Sequence, residues 1–415
     1  MSRVVIIGSG IIGLSVTAEA ARRGHSVTIV DREGPARRGC SFGNAGMVVP
    51  SHFIPLAAPG AVALGLKWMW NPESPFYIQP RWSWDLFAWA WRFYQASNAT
   101  QVARAAPLLR DLHLASRAAY SAAAEAGEDF GLTRAGLLML CRTPAALEGE
   151  AHLAEEAVRL GVPAEVCDAK RAAALDPAVT MDIAGAVYFP LDCHLTPERY
   201  IAALERQLTH LHGNFLWNCE VTGWTKEDGR LRAVQTAQGA IEADHFVLCG
   251  GSWSDLMVRD LGLRLPLQAG KGYSLTLSDP IELPRLCAIF TEARVAITPM
   301  GQSLRVGGTM EMAGLNEQIT ARRVAGIVKA VPQYYPRFRP EHFAGITPWA
   351  GLRPCSPDGL PYLGRTQAAA NLLIATGHAM MGVSLAPATG QCIGQLLDGA
   401  APPWDLTLLS PDRFA

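Results

Sequence analysis

At 415 residues the chain is long enough for two lobes, each with a core of its own. Hydrophobic residues make up 49% and charged residues 18%, as in a globular protein, and a formal net charge of −1 gives no support for nucleic-acid binding. Nine widely spaced cysteines, at positions 40, 141, 167, 193, 219, 249, 287, 355 and 392, form no C-x-x-C pair. Neither a metal site nor a dithiol motif is indicated, and reduced, buried thiols in a reducing compartment are expected.

Residues 4–7 (VVII) are apolar on both faces and β-branched, as in a buried parallel strand. That early strand leaves no room for a leader peptide, so a cytoplasmic location is expected. Gly8, Gly10 and Gly13 follow in the G-x-G-x-x-G pattern, with Ser9, Ile11 and Ile12 between them. The first glycine permits a tight turn, the second lets a pyrophosphate approach the backbone, and the third lets the next helix pack on the strand. That helix runs to Arg23, stops at Gly24, and presents free N–H groups and a partial positive charge at its amino end. A second strand, 26–30, delivers Asp31 and then Arg32, 18 and 19 residues after Gly13. A carboxylate there accepts from ribose hydroxyls, and an acid rather than a base argues against a 2′-phosphate. NAD and FAD both remain open at this point.

Apolar runs such as 53–66 are broken by proline and glycine and are too short for a bilayer. Residues 68–91 hold six of the eleven tryptophans. They read either as core at one end of a lobe or as a membrane-contact patch, since indole favours the interface. Residues 100–127 and 144–160 are helical in period, and 192–208 places Thr196 as N-cap with Pro197 at the first helical position. Residues 214–239 read as strands joined by the turn at 227–229, and 266–312 alternate like antiparallel strands. Residues 239–254 and 371–399 repeat the opening theme of strand and glycine turn, the latter with a helix from about residue 386. Three such units far apart in sequence suggest one discontinuous nucleotide domain.

The chain resembles the FAD-dependent D-amino acid oxidase superfamily, most closely bacterial D-amino acid dehydrogenases, including their D-hydroxyproline dehydrogenase-like branch. The resemblance rests on the opening motif and on residues 41–60 (SFGNAGMVVPSHFIPLAAPG), 271–276 (KGYSLT), 305–314 (RVGGTMEMAG), 349–365 (WAGLRPCSPDGLPYLGR) and 376–390 (TGHAMMGVSLAPATG). It implies an α/β, α+β overall, fold: a Rossmann-like FAD-binding domain from 1–50, 150–265 and 345–415. A substrate domain on a mostly antiparallel sheet is expected from 51–149 and 266–344. Matched to the superfamily's motifs, Ser41, Asn44, Ala45, Gly46 and Met47 line the pyrophosphate and flavin. Val221 contacts the adenine end, and Gly250, Gly251, Trp253 and Gly351 lie beside the cofactor. Gly377, His378, Met381, Gly382, Val383 and Ser384 form a final turn at the flavin's carbonyl edge.

By the same resemblance Arg353 clamps the substrate carboxylate with two parallel donors. Met47 and Met310 wall the pocket, His378 either hydrogen-bonds the flavin or orients its loop, and His52 and Tyr273 stand at the rim. Glycine oxidases carry a tyrosine in the strand corresponding to 294–299, where this chain has Ala296 or a neighbouring aliphatic residue. Either Tyr273 supplies that hydroxyl or the pocket is more open. Cys355 is displaced from the position at which some relatives attach flavin. The expected reaction is oxidative deamination of D-amino acids, with hydride passing from Cα to flavin N5 and electrons leaving to a quinone or other carrier. The alternatives are a cis-4-hydroxy-D-proline or D-proline dehydrogenase, a glycine- or sarcosine-type oxidase using O2, and a non-enzymatic dinucleotide-binding sensor. Quinone use would extend the expected location to the inner face of the cytoplasmic membrane.

Overall fold

The computed structural model describes residues 1–69 and 73–415; Trp70, Asn71 and Pro72, inside the tryptophan-rich stretch, lie outside the described residues. A six-stranded sheet runs in the order Tyr362–Thr366, Ala369–Thr376, His245–Leu248, Arg3–Ile7, Ser26–Val30, Asn214–Leu216. All neighbours are parallel except the first pair. The three strands that precede glycine turns in the sequence are therefore adjacent in space, as the repeated theme implied. Alternation along them serves two cores. Val4, Ile6 and Val247 pack under the helices, while Val5, Ile7 and Phe246 pack against the three-stranded sheet Val221–Glu227, Arg230–Thr236, Gly239–Glu242. Each such side chain removed from water contributes about 1.5–3 kcal/mol, which makes this sheet the rigid base of the molecule.

Helices Ile11–Arg22, Ala99–Glu125, Pro197–His210 and Gly382–Leu397 cover the first of those faces. The last begins four residues before the expected start, despite Pro387 in its second turn. A proline there removes the donor for the carbonyl four residues back, and the Tyr120 hydroxyl fills the gap by donating to Val383 O at 2.6 Å.

A second, nine-stranded sheet has the order Trp349–Cys355, Gln268–Leu277, Ser303–Met312, Val295–Met300, Cys287–Phe290, Leu137–Cys141, Gly185–Phe189, Glu165–Asp168, with Phe76–Ile78 paired to Ser303–Met312. Helix Ala321–Tyr334 packs on its outer face through Val324, Ile327 and Val331. The expected domain boundaries need correction here. Residues 165–189 and 349–355, assigned from sequence to the nucleotide domain, contribute strands to this second sheet. Helix Ala99–Glu125, assigned to the substrate domain, instead packs on helix Gly382–Leu397. No helix among the described residues is long and apolar enough to cross a membrane.

Candidate active site

The glycine turn is built as its sequence requires. Gly8 has φ +102°, and a Cβ on Gly13 would stand 1.9 Å from Gly8 O, so the helix can sit this close only without a side chain. Gly10 faces open space, with only Ser41 Oγ at 3.5 Å from where its Cβ would be. Ser41 Oγ accepts from Ile11 N at 3.0 Å, and no acid occupies the first turn of helix Ile11–Arg22, which leaves its positive end available to an anion. Arg37, which sequence reasoning passed over, is buried under the turn. It donates to Ser9 O at 3.0 and 3.1 Å and to Glu205 at 2.6 Å.

From this turn an elongated cavity extends both ways. One end is lined by Asp31, Arg32, Val221 and Trp253, with the Arg32 guanidinium 3.9 Å over the Trp253 ring. Asp31 Oδ2 accepts from Ser9 N at 2.7 Å and Ser9 Oγ at 2.5 Å, and Oδ1 accepts from Glu33 N at 2.9 Å, which leaves one Oδ1 lone pair for a ribose. Gly8, Ser9, Gly10, Ile11, Ile12, Ser41, Asn44, Gly250 and Gly251 line the middle, and His378, Gly382 and Val383 the far end. Gly13 lies beneath the lining. Gly46, with φ +70°, fits against Leu195 O, and Gly377, with φ +80°, against Tyr362. Ala45 and Met381 pack against the adjoining core, and Met47 is buried there, opposite His194 in a short antiparallel pair.

Arg353 is not itself among the residues that line this cavity, although its neighbours on strand Trp349–Cys355, Leu352 and Pro354, both are. Its guanidinium lies across Gly272, where a Cβ would come within 2.2 Å of Nη2. Nη1 donates to Thr309 O at 2.6 Å, its one acceptor among the described residues. A guanidinium with a single carbonyl partner retains donors for a ligand. Burial pushes the Cys40 thiol up to about 11, with the Arg353 charge nearby pulling the other way. Met310 shares this face, since a Cβ on Gly270 would touch both it and Cys355 Sγ. Trp349, two residues along the same face from Gly351, donates from its indole to Arg38 O at 3.1 Å and pins loop 38–43. Alternation in WAGLR puts Trp349, Gly351 and Arg353 on one face of the strand, but nothing in the sequence marks Trp349 for a role.

The side chains of Tyr273, His52 and Ser384 and the open side of Gly351 make contacts outside the cavity lining. Tyr273 projects to the opposite face, where its hydroxyl donates to Glu311 at 2.5 Å and accepts from Thr320 N at 3.3 Å. It cannot replace the tyrosine missing at Ala296. His52 turns to Ser51 Oγ at 2.9 Å, which in turn reaches Asp192, and burial holds its pKa down to about 4. The Ser384 hydroxyl is used by Val49 N at 2.9 Å and His113 Nδ1 at 2.7 Å. Gly351 makes room for the Trp349 indole, 2.1 Å from where its Cβ would be.

The residues present fit a flavin dinucleotide: an acid at one end, a bare helix terminus in the middle, and at the other end a buried His378 Nδ1 with no partner among the described residues. Residues 3–396 match the family model described as FAD dependent oxidoreductase. The chain is 32% identical over 428 residues to a curated D-amino acid dehydrogenase of Bradyrhizobium diazoefficiens, covering 100% of this chain and 99% of the relative. It is 34% identical over 426 residues to one of Cereibacter sphaeroides, covering 100% and 95%. Among solved structures, glycine oxidase from Geobacillus kaustophilus aligns with a TM-score of 0.80 at 23% identity over 100% of both chains. L-Proline dehydrogenase from P. horikoshii aligns at 0.75 and 18% identity, covering 100% and 97%. The resemblance read from the sequence is borne out: the chain belongs to the FAD-dependent oxidoreductase family, and its cofactor is FAD.

Proposed function

We propose that this enzyme is a D-amino acid dehydrogenase that passes electrons to a quinone or another carrier. The observation that carries the reading is Arg353, with spare donors, on the strand whose Leu352 and Pro354 line the cofactor cavity. Two parallel N–H donors fix a carboxylate in direction as well as place, so the substrate's Cα is presented in one orientation. FAD, once bound, supplies the acceptor for the hydride that leaves Cα. The chain's own residues hold and dry the substrate. Glu311 and Tyr273 bond to one another on the far face of the sheet and take no proton from Cα. An amine lone pair, freed when the ammonium loses its proton to water, pushes the hydride out and leaves an iminium. For a primary amine that iminium hydrolyses to a 2-oxo acid and ammonia. The kinship with curated D-amino acid dehydrogenases along the whole chain supports this choice of substrate.

Delivery to a quinone calls for a membrane surface, and helix Trp84–Ala96 supports one. Trp84, Phe87, Trp91 and Tyr94 follow at helical spacing on its exposed side, with Trp82 96% and Trp84 88% exposed. Indole and phenol rings favour the bilayer interface. Of this segment Trp89 is core, 4% exposed, its indole donating to Cys355 O at 2.9 Å. The test is anaerobic titration of the yellow protein with D- and L-amino acids, D-proline, hydroxyprolines, glycine and sarcosine. D-Amino acids should bleach the flavin, and aerobic turnover with a quinone analogue should release no stoichiometric peroxide. Bleaching by glycine or sarcosine alone, with stoichiometric peroxide, would replace the proposal with an amine oxidase.

A further inference from the structure

The turn between strand Ala369–Thr376 and helix Gly382–Leu397 is tied to the strand that carries Arg353. His378 pairs with Cys355 in an antiparallel bridge, Ala379 N donates to Pro354 O at 2.9 Å, and Met381 N donates to His378 O at 2.8 Å. The His378 side chain is 3% exposed and lines the cavity. Its Nε2 lies 3.0 Å from Thr389 Oγ1, itself 2% exposed, and its Nδ1 has no partner among the described residues.

Hydrogen-bond bookkeeping selects one tautomer. If Nε2–H donated to Thr389, both the threonine hydroxyl hydrogen and the Nδ1 lone pair would be left without partners. If the hydroxyl donates to Nε2, only one donor, Nδ1–H, remains unsatisfied. We propose that His378 is a redox-tuning residue: fixed by Thr389, it presents Nδ1–H to the polar edge of the bound isoalloxazine. Burial supports a neutral ring, since desolvation holds the imidazole down to about 3. A fixed neutral donor at that edge strengthens its bond as electron density builds on the acceptor, so it favours the reduced cofactor over the oxidised one.

The inference concerns the cofactor alone. Dye-equilibrated potentiometry needs no amino acid, so its failure is separate from failure of the substrate reading. In FAD-loaded His378→Ala, binding of reduced relative to oxidised flavin should fall about tenfold, a drop of about 30 mV in the two-electron midpoint potential. His378→Asn, which returns an N–H donor near the position of Nδ1, should recover most of it. Thr389→Val, which releases the tautomer, should lose part of it, and the double variant should be no worse than His378→Ala alone. The difference from wild type should be constant between pH 6 and 9. An FAD-loaded His378→Ala protein with the wild-type potential would overturn the proposal, as would a difference present only at the acid end. If His378→Ala takes up no FAD, an unchanged potential in loaded Thr389→Val overturns it equally.

Discussion

Replacing Gly272 with alanine tests the placement of Arg353 without touching its charge. Gly272 does not lie in the left-handed region, so alanine fits the backbone there. Its methyl would stand 2.2–2.3 Å from Cζ, Nη1 and Nη2 of Arg353, whereas ordinary contact begins at 3.4 Å. The obstacle is the end of a flexible side chain, so the guanidinium moves rather than the sheet, by more than about 1 Å, and its 2.6 Å bond to Thr309 O is broken or bent. A misplacement of about 1 Å at a reacting site costs on the order of 100-fold, or about 2.7 kcal/mol in the barrier. Steady-state kinetics with a D-amino acid should therefore show kcat/KM down about 100-fold. Flavin content and thermal midpoint should stay close to wild type. Undiminished kcat/KM in a fully loaded Gly272→Ala protein would refute the argument that this glycine exists to seat Arg353.

Gly13→Ala should behave differently, because the methyl would meet a backbone oxygen at 1.9 Å that cannot move aside. The purified variant should lack the flavin absorbance band, and a yellow Gly13→Ala protein would contradict this. Alanine at Trp82, Trp84 and Trp91 together should weaken sedimentation with lipid vesicles while leaving the thermal midpoint unchanged. Trp89→Ala should instead cost about 3–5 kcal/mol in denaturant unfolding, as loss of a large core ring does. Equal stability of the two variants would erase the distinction drawn between exposed and core rings. Asp192 is fully buried, and burial raises its carboxyl to about 7. A raised folded-state pKa favours the folded protein at low pH, and that contribution fades as pH rises from about 4 to about 7. The thermal midpoint of Asp192→Asn should accordingly gain on wild type across that interval, and a constant offset between the two would be inconsistent with the assignment.

The nucleotide half was legible in the sequence because its signals are local. Gly8, Gly10, Gly13 and Asp31 fall within one strand–helix–strand unit, where a single backbone geometry dictates all four residues. What sequence could not reveal is governed by contacts between distant segments. Strand Gln268–Leu277 is buried on both faces along nearly all its length, so the alternation read there did not tell which face meets Arg353, and Gly272 faces it while Tyr273 turns to Glu311. The helix was expected to begin at about residue 386, whereas it begins at Gly382, with Pro387 inside it. A hydroxyl from Tyr120, 263 positions away, is what allows the earlier start. The second sheet takes strands from both sides of the nucleotide segments, so boundaries drawn by sequence adjacency misplace 165–189 and 349–355.

The central claim, that a guanidinium beside the flavin grips the substrate's acid group, is tested most directly by comparing D-alanine with D-alaninamide in wild type and Arg353→Ala. Anaerobic stopped-flow reduction of the flavin gives the second-order constant for each pair. Wild type should prefer the acid by roughly 100-fold or more, as loss of charge-assisted bonds of about 1.5–3 kcal/mol each requires, and the variant should barely discriminate. An identical preference in both proteins would mean that Arg353 does not hold the carboxylate.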